Sequence, residues 1–145
     1  FYIEDVKKSI EEFTASKGIT LENLYVSDFI PNMDLAYSIA DLVVSRAGAS
    51  SISELSLLKK ACILVPSPNV SEDHQRKNAM ALVEKGAAEI VRDSEAKQRG
   101  MQLALEIVGD ERRLESLSEN ISNLAISDAA ERVVNVIEKE LTKSL

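Results

Sequence analysis

Apolar residues follow two kinds of spacing along the 145-residue chain, and each kind predicts a different element. Recurrence every three or four positions is typical of an amphipathic helix, whereas a short continuous apolar run is typical of a buried strand. The predicted elements are a helix over Asp5–Ser16, a strand over Leu24–Ile30, a helix over Met33–Ile39, a strand over Leu42–Ser45, a helix over Ser51–Lys60, a strand over Ala61–Val65, a helix over Glu72–Lys85, a strand over Ala88–Val91, and helical segments over Glu95–Val108, Glu111–Leu124 and Ala129–Lys143.

The alternation of predicted strands and helices indicates parallel βαβ units and therefore an α/β fold. Leu42, Val43 and Val44 are apolar in succession, which is expected when helices cover both faces of a sheet. The pattern predicts one three-layer domain over residues 1–145, in which residues 109–145 form a helical tail.

Composition narrows the possible functions. The net charge of −7 argues against nucleic acid as a partner and against unaided binding to an anionic membrane surface. No apolar run approaches the roughly 20 residues of a membrane-spanning helix. Cys62 lies in an apolar run and is interpreted as a buried, unreactive thiol. His74 is the only histidine, so the sequence predicts no metal site.

The first candidate for chemistry is the turn between the strand at Leu42–Ser45 and the next helix. Gly48 permits a tight turn, and the amides that follow it open a helix, whose N-terminus suits an anion such as a phosphate. Ser51-Ile52-Ser53-Glu54 also matches a capping box, in which Glu54 would accept from the Ser51 amide. Alternatively, the Glu54 carboxylate accepts hydrogen bonds from a sugar diol. Spacing alone favours the capping box.

The second candidate is the stretch from Pro66 to Ala79, which leaves the next strand. Ligands of open α/β sheets sit at the carboxyl ends of the strands. Ser71 is a natural N-cap for the following helix. A lone histidine such as His74 is more often a surface or capping group than a ligand contact. Gln75 and Asn78 lie one helical turn apart, so both either face one ligand or are solvated.

Taken together, these residues resemble the MurG family of peptidoglycan glycosyltransferases. Two motifs carry most of the specificity, R-x-G-A followed by S-E, and H-Q-x-x-N-A. The resemblance covers nearly the whole chain. The matching residues are Asp28-Phe29-Ile30 with Met33 and Ala36-Tyr37, Ala40 to Ala49, Ser53-Glu54, Val65 to Asn69, Asp73-His74-Gln75 with Asn78-Ala79, Lys85 to Ala88, and Ser127 to Ala130.

The resemblance implies a Rossmann-like domain, namely the C-terminal, donor-binding half of a GT-B fold without its first strands. It implies that the backbone of Ile30 hydrogen-bonds uracil beside Phe29, and that Glu54 binds the ribose hydroxyls. The amides that follow Gly48 would face the diphosphate. The implied donor-site residues are Phe29, Ile30, Arg46, Gly48, Ala49, Ser50, Ser51, Glu54, His74, Gln75 and Asn78.

Within that implied site, His74 and Gln75 would contact the N-acetylglucosamine hydroxyls or the side of the leaving phosphate. Arg46 and Asn78 would shape the two loops. By the same resemblance, the parent protein transfers N-acetylglucosamine from UDP-GlcNAc to lipid I, forming lipid II, by an inverting displacement that uses no metal or other cofactor. It would act at the cytoplasmic face of the bacterial inner membrane.

The resemblance places the lipid I site, the membrane contact and the general base in an N-terminal domain. We therefore expect no catalytic residue and no transferase activity in this chain alone. Two strands of the family's sheet would precede Phe1 and lie between the strands at Leu24–Phe29 and Leu42–Ser45. Without them, we expect these two strands to pair directly or the chain to associate with another copy.

Two other interpretations remain open. The chain could belong to another GT-B enzyme, such as a glycolipid glycosyltransferase or a UDP-GlcNAc 2-epimerase, although an epimerase should carry a second histidine and several catalytic carboxylates. It could also be a non-catalytic interaction module that uses its acidic helical tail. Nucleotide binding that depends on Glu54 separates the donor-domain interpretation from the interaction module.

Overall fold

The computed structural model describes residues 2–18, 20, 22–69 and 73–143. The chain divides into two compact units, residues 1–38 and residues 39–145. Among the described residues, no helix is long and apolar enough to cross a membrane.

The regular secondary structure described in the first unit is helical. Helix α1 spans Tyr2–Lys17, and Gly18 follows it with a φ of +62°, a left-handed conformation that glycine adopts without strain. Helix α2 spans Met33–Ile39, as the spacing of its apolar residues predicts.

The strand predicted over Leu24–Ile30 is wrong, because residues 24–30 have no regular secondary structure. The Ser27 hydroxyl donates to the Phe29 carbonyl at 2.6 Å and accepts from the Phe29 amide at 3.3 Å, so the segment turns locally. Tyr25 and Phe29 are 80% and 74% exposed. Since these residues form no strand, the predicted direct pairing with the strand at Leu42–Ser45 is wrong as well.

The second unit contains the sheet. Strands β1 (Leu42–Ser45), β2 (Ala61–Leu64) and β3 (Glu89–Ile90) are parallel and lie in the order β1-β2-β3. Leu42 is opposite Ala61, and Ile63 is opposite Glu89. Helices α3 (Ala49–Leu57) and α4 (His74–Val83) connect the strands. The parallel α/β prediction is therefore confirmed, with β1 at its predicted bounds and β3 shorter by one residue at each end.

The predicted helix over Glu95–Val108 is three pieces. A 3₁₀ turn over Asp93–Glu95 leads into a π-helical turn over Ala96–Gly100 and then into α5 (Met101–Val108). Helices α6 (Glu111–Ser122) and α7 (Ala129–Lys143) follow. The Asp110 side chain caps α6 by accepting from the Arg113 amide at 3.1 Å.

The core of the second unit lies between the sheet and the helices that follow it. Strand β2 is buried at all four positions, and Ile63, Ile107 of α5 and Leu117 of α6 belong to one packed cluster. Arg113 of α6 pairs with Glu89 of β3, and this hydrogen bond raises the pKa of the guanidinium above its ordinary value. These contacts fix the sheet, whose carboxyl edge carries the candidate site.

Candidate functional site

The turn after β1 ends in an open helix N-terminus. Gly48 is the N-cap of α3, with extended backbone, and no side chain caps it. The first amide bonded along the helix is that of Ile52, which donates to the Gly48 carbonyl at 3.0 Å. By helix geometry, the N–H groups of Ala49, Ser50 and Ser51 point out of the first turn, where they can meet an anion.

The capping box predicted at Ser51 is wrong. Because α3 begins at Ala49, Ser51 lies inside the first turn and is not the N-cap. Ser53, two residues further on, directs its hydroxyl back to the Ala49 carbonyl at 3.0 Å. Glu54 is exposed and lies about one turn beyond the open amides. Its position is compatible with a contact to the sugar of a ligand whose phosphates lie at the helix N-terminus.

Helix α4 is fixed to both turns through two amide side chains. Asn78 donates through Nδ2 to the carbonyl oxygen of Ala47, which is fully buried, at 3.3 Å. Gln75 accepts through Oε1 from the Ser67 amide at 2.8 Å. Thus Asn78 holds the β1–α3 turn and Gln75 holds the β2–α4 loop, and a ligand hydroxyl would be met by the Gln75 amide nitrogen.

Helix α4 begins later in the sequence than predicted. The helix begins at His74, after Asp73, whose φ of +57° is left-handed. The predicted N-cap Ser71 and the predicted helix start Glu72 lie outside the described residues. His74 is the exposed first residue of α4, in the same turn as Gln75.

Arg46 connects the ends of all three strands. Its Nη1 donates to the carbonyl oxygen of Val65, directly after β2, at 3.2 Å, and it pairs with Asp93, which follows β3. Sequence reasoning selected Arg46 but missed Asp93. The available signal was its position, since carboxyl ends of parallel strands meet at one edge and Asp93 is an acidic residue just beyond one of them.

An open cavity of about 770 Å³ lies at the carboxyl ends of β2 and β3, beside the Gln75-held loop. Its charged groups alternate in sign, with Arg76 3.5 Å from Asp73 and Arg99 3.4 Å from Glu95. The lining residues are Pro66, Ser67, Pro68, Asp73, Arg76, Met80, Ile90, Arg92, Asp93, Ser94, Glu95 and Arg99.

Two predicted site residues remain. Phe29 and Ile30 belong to the first unit and are exposed.

Cys62 is not part of the predicted site. It has no exposed surface, and burial raises the pKa of its thiol to about 12, so it is far from the thiolate form. In the part of the chain that the structure describes, no three His, Cys, Asp or Glu residues form a group that could hold a metal ion.

A parallel sheet whose strands are connected by helices is typical of a Rossmann-like α/β domain. Residues 3–133 match the model of the glycosyltransferase family 28 C-terminal domain. The chain therefore belongs to this family.

Relatives at high identity carry one name. A Bacteroides thetaiotaomicron protein is 57% identical over 123 residues, which is 85% of this chain and 32% of that protein. A Parabacteroides distasonis protein is 50% identical over 143 residues, 99% of this chain and 37% of that protein. Both are named UDP-N-acetylglucosamine–N-acetylmuramyl-(pentapeptide) pyrophosphoryl-undecaprenol N-acetylglucosamine transferase. The chain thus spans about a third of the length of these relatives.

The fold has a solved counterpart. The crystal structure of Acinetobacter baumannii MurG matches with a TM-score of 0.72 and 32% identity, over 79% of this chain and 33% of that one. The expected resemblance to the MurG family and the expected Rossmann-like half of a GT-B fold are confirmed.

Proposed function

We propose that this chain is the donor-binding part of a transferase that moves N-acetylglucosamine from UDP-GlcNAc to lipid I. The observation that carries the proposal is the open N-terminus of α3, at the carboxyl edge of the sheet, with Glu54 one turn further along. The names of the relatives at 50–57% identity support the sugar and the acceptor. The acceptor site and the general base would belong to the remaining two thirds of a relative's length.

In this proposal the donor diphosphate meets the amides of Ala49, Ser50 and Ser51. A helix N-terminus carries about half a positive charge, so it stabilises an anion. The same charge stabilises the UDP leaving group as negative charge develops on it during displacement by the acceptor hydroxyl. The helix therefore contributes to both binding and departure of the nucleotide.

Glu54 would accept hydrogen bonds from both ribose hydroxyls, a use that acidic residues have in dinucleotide-binding folds. His74 and the Gln75 amide nitrogen would bind hydroxyls of the N-acetylglucosamine. A transferase with this donor and a polyprenyl acceptor would act at the cytoplasmic face of the inner membrane, where we place the parent protein.

The test is a calorimetric titration of UDP-GlcNAc into the 145-residue chain, with UDP and UDP-glucose as comparison ligands. Glu54→Gln keeps the shape of the side chain and removes its charge. Glutamine keeps one acceptor oxygen but replaces the other with an amide donor and removes the charge, so one charge-assisted hydrogen bond is lost and the other is weakened, and we expect the Kd to rise at least about tenfold. Glu138→Gln, an exposed change of the same kind on α7, is the matched control and should leave the Kd unchanged.

Each result has a defined meaning. Preference for UDP-GlcNAc that depends on Glu54 supports the proposal. Preference for UDP-glucose would instead favour a glycolipid glycosyltransferase. Absence of binding at millimolar ligand, or equal affinity of the Glu54→Gln and Glu138→Gln variants, would overturn the proposed donor site in this chain.

A further inference from the structure

Asp93 lies on the edge of the sheet that carries the donor site, although no sequence motif marks it. It opens the 3₁₀ turn that follows β3, and its carboxylate pairs with the Arg46 guanidinium from the end of β1. The two residues are 47 positions apart in the chain. The pair therefore bridges the two outer strands of the described sheet, across the end of β2.

Arg46 links Asp93 to the turn that is proposed to bind the diphosphate. Its guanidinium is held at Val65 and at Asp93, and its backbone leads directly into the buried Ala47 and the N-cap Gly48. A free arginine side chain samples many rotamers, and two simultaneous contacts restrict it to few. The restricted side chain in turn limits how far the turn before α3 can move.

We propose that Asp93 is a positioning residue for the diphosphate-binding turn and acts through Arg46. This inference rests on the proposed function. Its sign distinguishes it from simple electrostatics: a carboxylate near a diphosphate repels it, so removal of the charge alone would tighten binding. If Asp93 positions the turn, its removal weakens binding instead.

The chain supplies a matched control two residues away. Glu95 lies in the same 3₁₀ turn and also lines the cavity, but it pairs with Arg92 and Arg99. Glu95→Gln removes the same charge from nearly the same place and leaves Arg46 in contact with Asp93. A general electrostatic effect should appear in both variants, whereas a positioning effect should appear only in Asp93→Asn.

The experiment is a double-mutant cycle on UDP-GlcNAc affinity in the 145-residue chain, with Asp93→Asn, Arg46→Gln and the double variant. We expect Asp93→Asn to raise the Kd about fivefold, as the loss of a partly exposed ion pair allows. Glu95→Gln should leave the Kd unchanged or lower it. In the Arg46→Gln background, Asp93→Asn should have no further effect on the Kd. With Arg46 in place, Asp93→Glu should bind more tightly than Asp93→Asn, because the glutamate carboxylate can still pair with the guanidinium.

A second readout keeps this inference separate from the proposed function. Amide hydrogen exchange of Ile52, whose N–H donates to the Gly48 carbonyl, should accelerate without ligand in Asp93→Asn and not in Glu95→Gln. If the wild-type chain binds no UDP-GlcNAc, the donor site fails, while exchange still decides whether Asp93 orders the turn. Equal exchange in the two variants, tighter binding by Asp93→Asn, or additive effects with Arg46→Gln would each overturn the inference.

Discussion

Replacing Asn78 with alanine should weaken both the stability of the second unit and its affinity for nucleotide. Asn78 Nδ2 donates to the Ala47 carbonyl at 3.3 Å, and Ala47 has no exposed surface. The substitution leaves that buried carbonyl without this donor. An unsatisfied buried acceptor costs about 1–3 kcal/mol, and the length of this bond places the cost at the lower end.

Helix propensity offsets part of that cost. Alanine is about 0.5 kcal/mol better than asparagine inside a helix, so the expected net loss is about 0.5 kcal/mol. Lys77→Ala, at the exposed neighbouring position of α4, is the control, because it alters the helix surface without a contact to Ala47. Affinity for UDP-GlcNAc should fall in Asn78→Ala only, since Ala47 precedes the N-cap of α3.

Native-state hydrogen exchange gives the measurement, because it reports the second unit by itself. The Val65 and Val91 amides donate to Ser45 and Leu64, so their slowest exchange follows opening of the sheet. We expect their protection to fall by about twofold in Asn78→Ala relative to Lys77→Ala. Equal protection and equal affinity in the two variants would refute the reasoning that Asn78 anchors the turn.

Three further predictions concern the buried core. Cys62, whose thiol pKa is about 12 against an ordinary 9.0, should react with a thiol probe at pH 8 about a thousandfold more slowly than in urea; equal rates would contradict its burial. The same raised pKa stabilises the fold below pH 9, and this stability should be lost as pH rises toward 12, as alkaline unfolding of a Cys62→Ala control would reveal. Ile107→Ala should lower the free energy of unfolding by about 2–5 kcal/mol in a denaturant titration; a loss below about 1 kcal/mol would mean the site is not packed.

Local pattern predicted an element correctly where the element also has its tertiary partners. Strand β1 has its predicted bounds because Leu42–Ser45 pairs along its whole length with β2. Leu24–Ile30 also contains apolar residues, yet it is irregular, and the Ser27 hydroxyl hydrogen-bonds the Phe29 backbone in a local turn. An apolar run indicates that a segment tends to be buried, but it does not indicate whether a partner strand is available to pair with it.

The candidate site was predicted where it depends on backbone and missed where it depends on side-chain pairing. The open N-terminus after Gly48 follows from a strand–turn–helix pattern. The capping box failed because Ser51 could cap only if α3 began after it, and the helix begins at Ala49. The Arg46–Asp93 pair joins residues far apart in sequence, and no local spacing encodes which rotamers meet.

The contacts around the two turns divide the site into groups that meet the ligand and groups that hold the backbone. Asn78, Gln75 and Arg46 each hydrogen-bond a backbone group of a turn or loop, whereas the open amides of α3 belong to the backbone that is held. A variant of a residue that holds the β1–α3 turn should therefore lose affinity together with hydrogen-exchange protection of the Ile52 amide, because the turn itself loosens. A variant that loses affinity while the Ile52 amide keeps its protection identifies a group that meets the ligand, which is the role proposed for Glu54. Measuring both quantities on the same variants assigns each residue to one group without a structure of the complex.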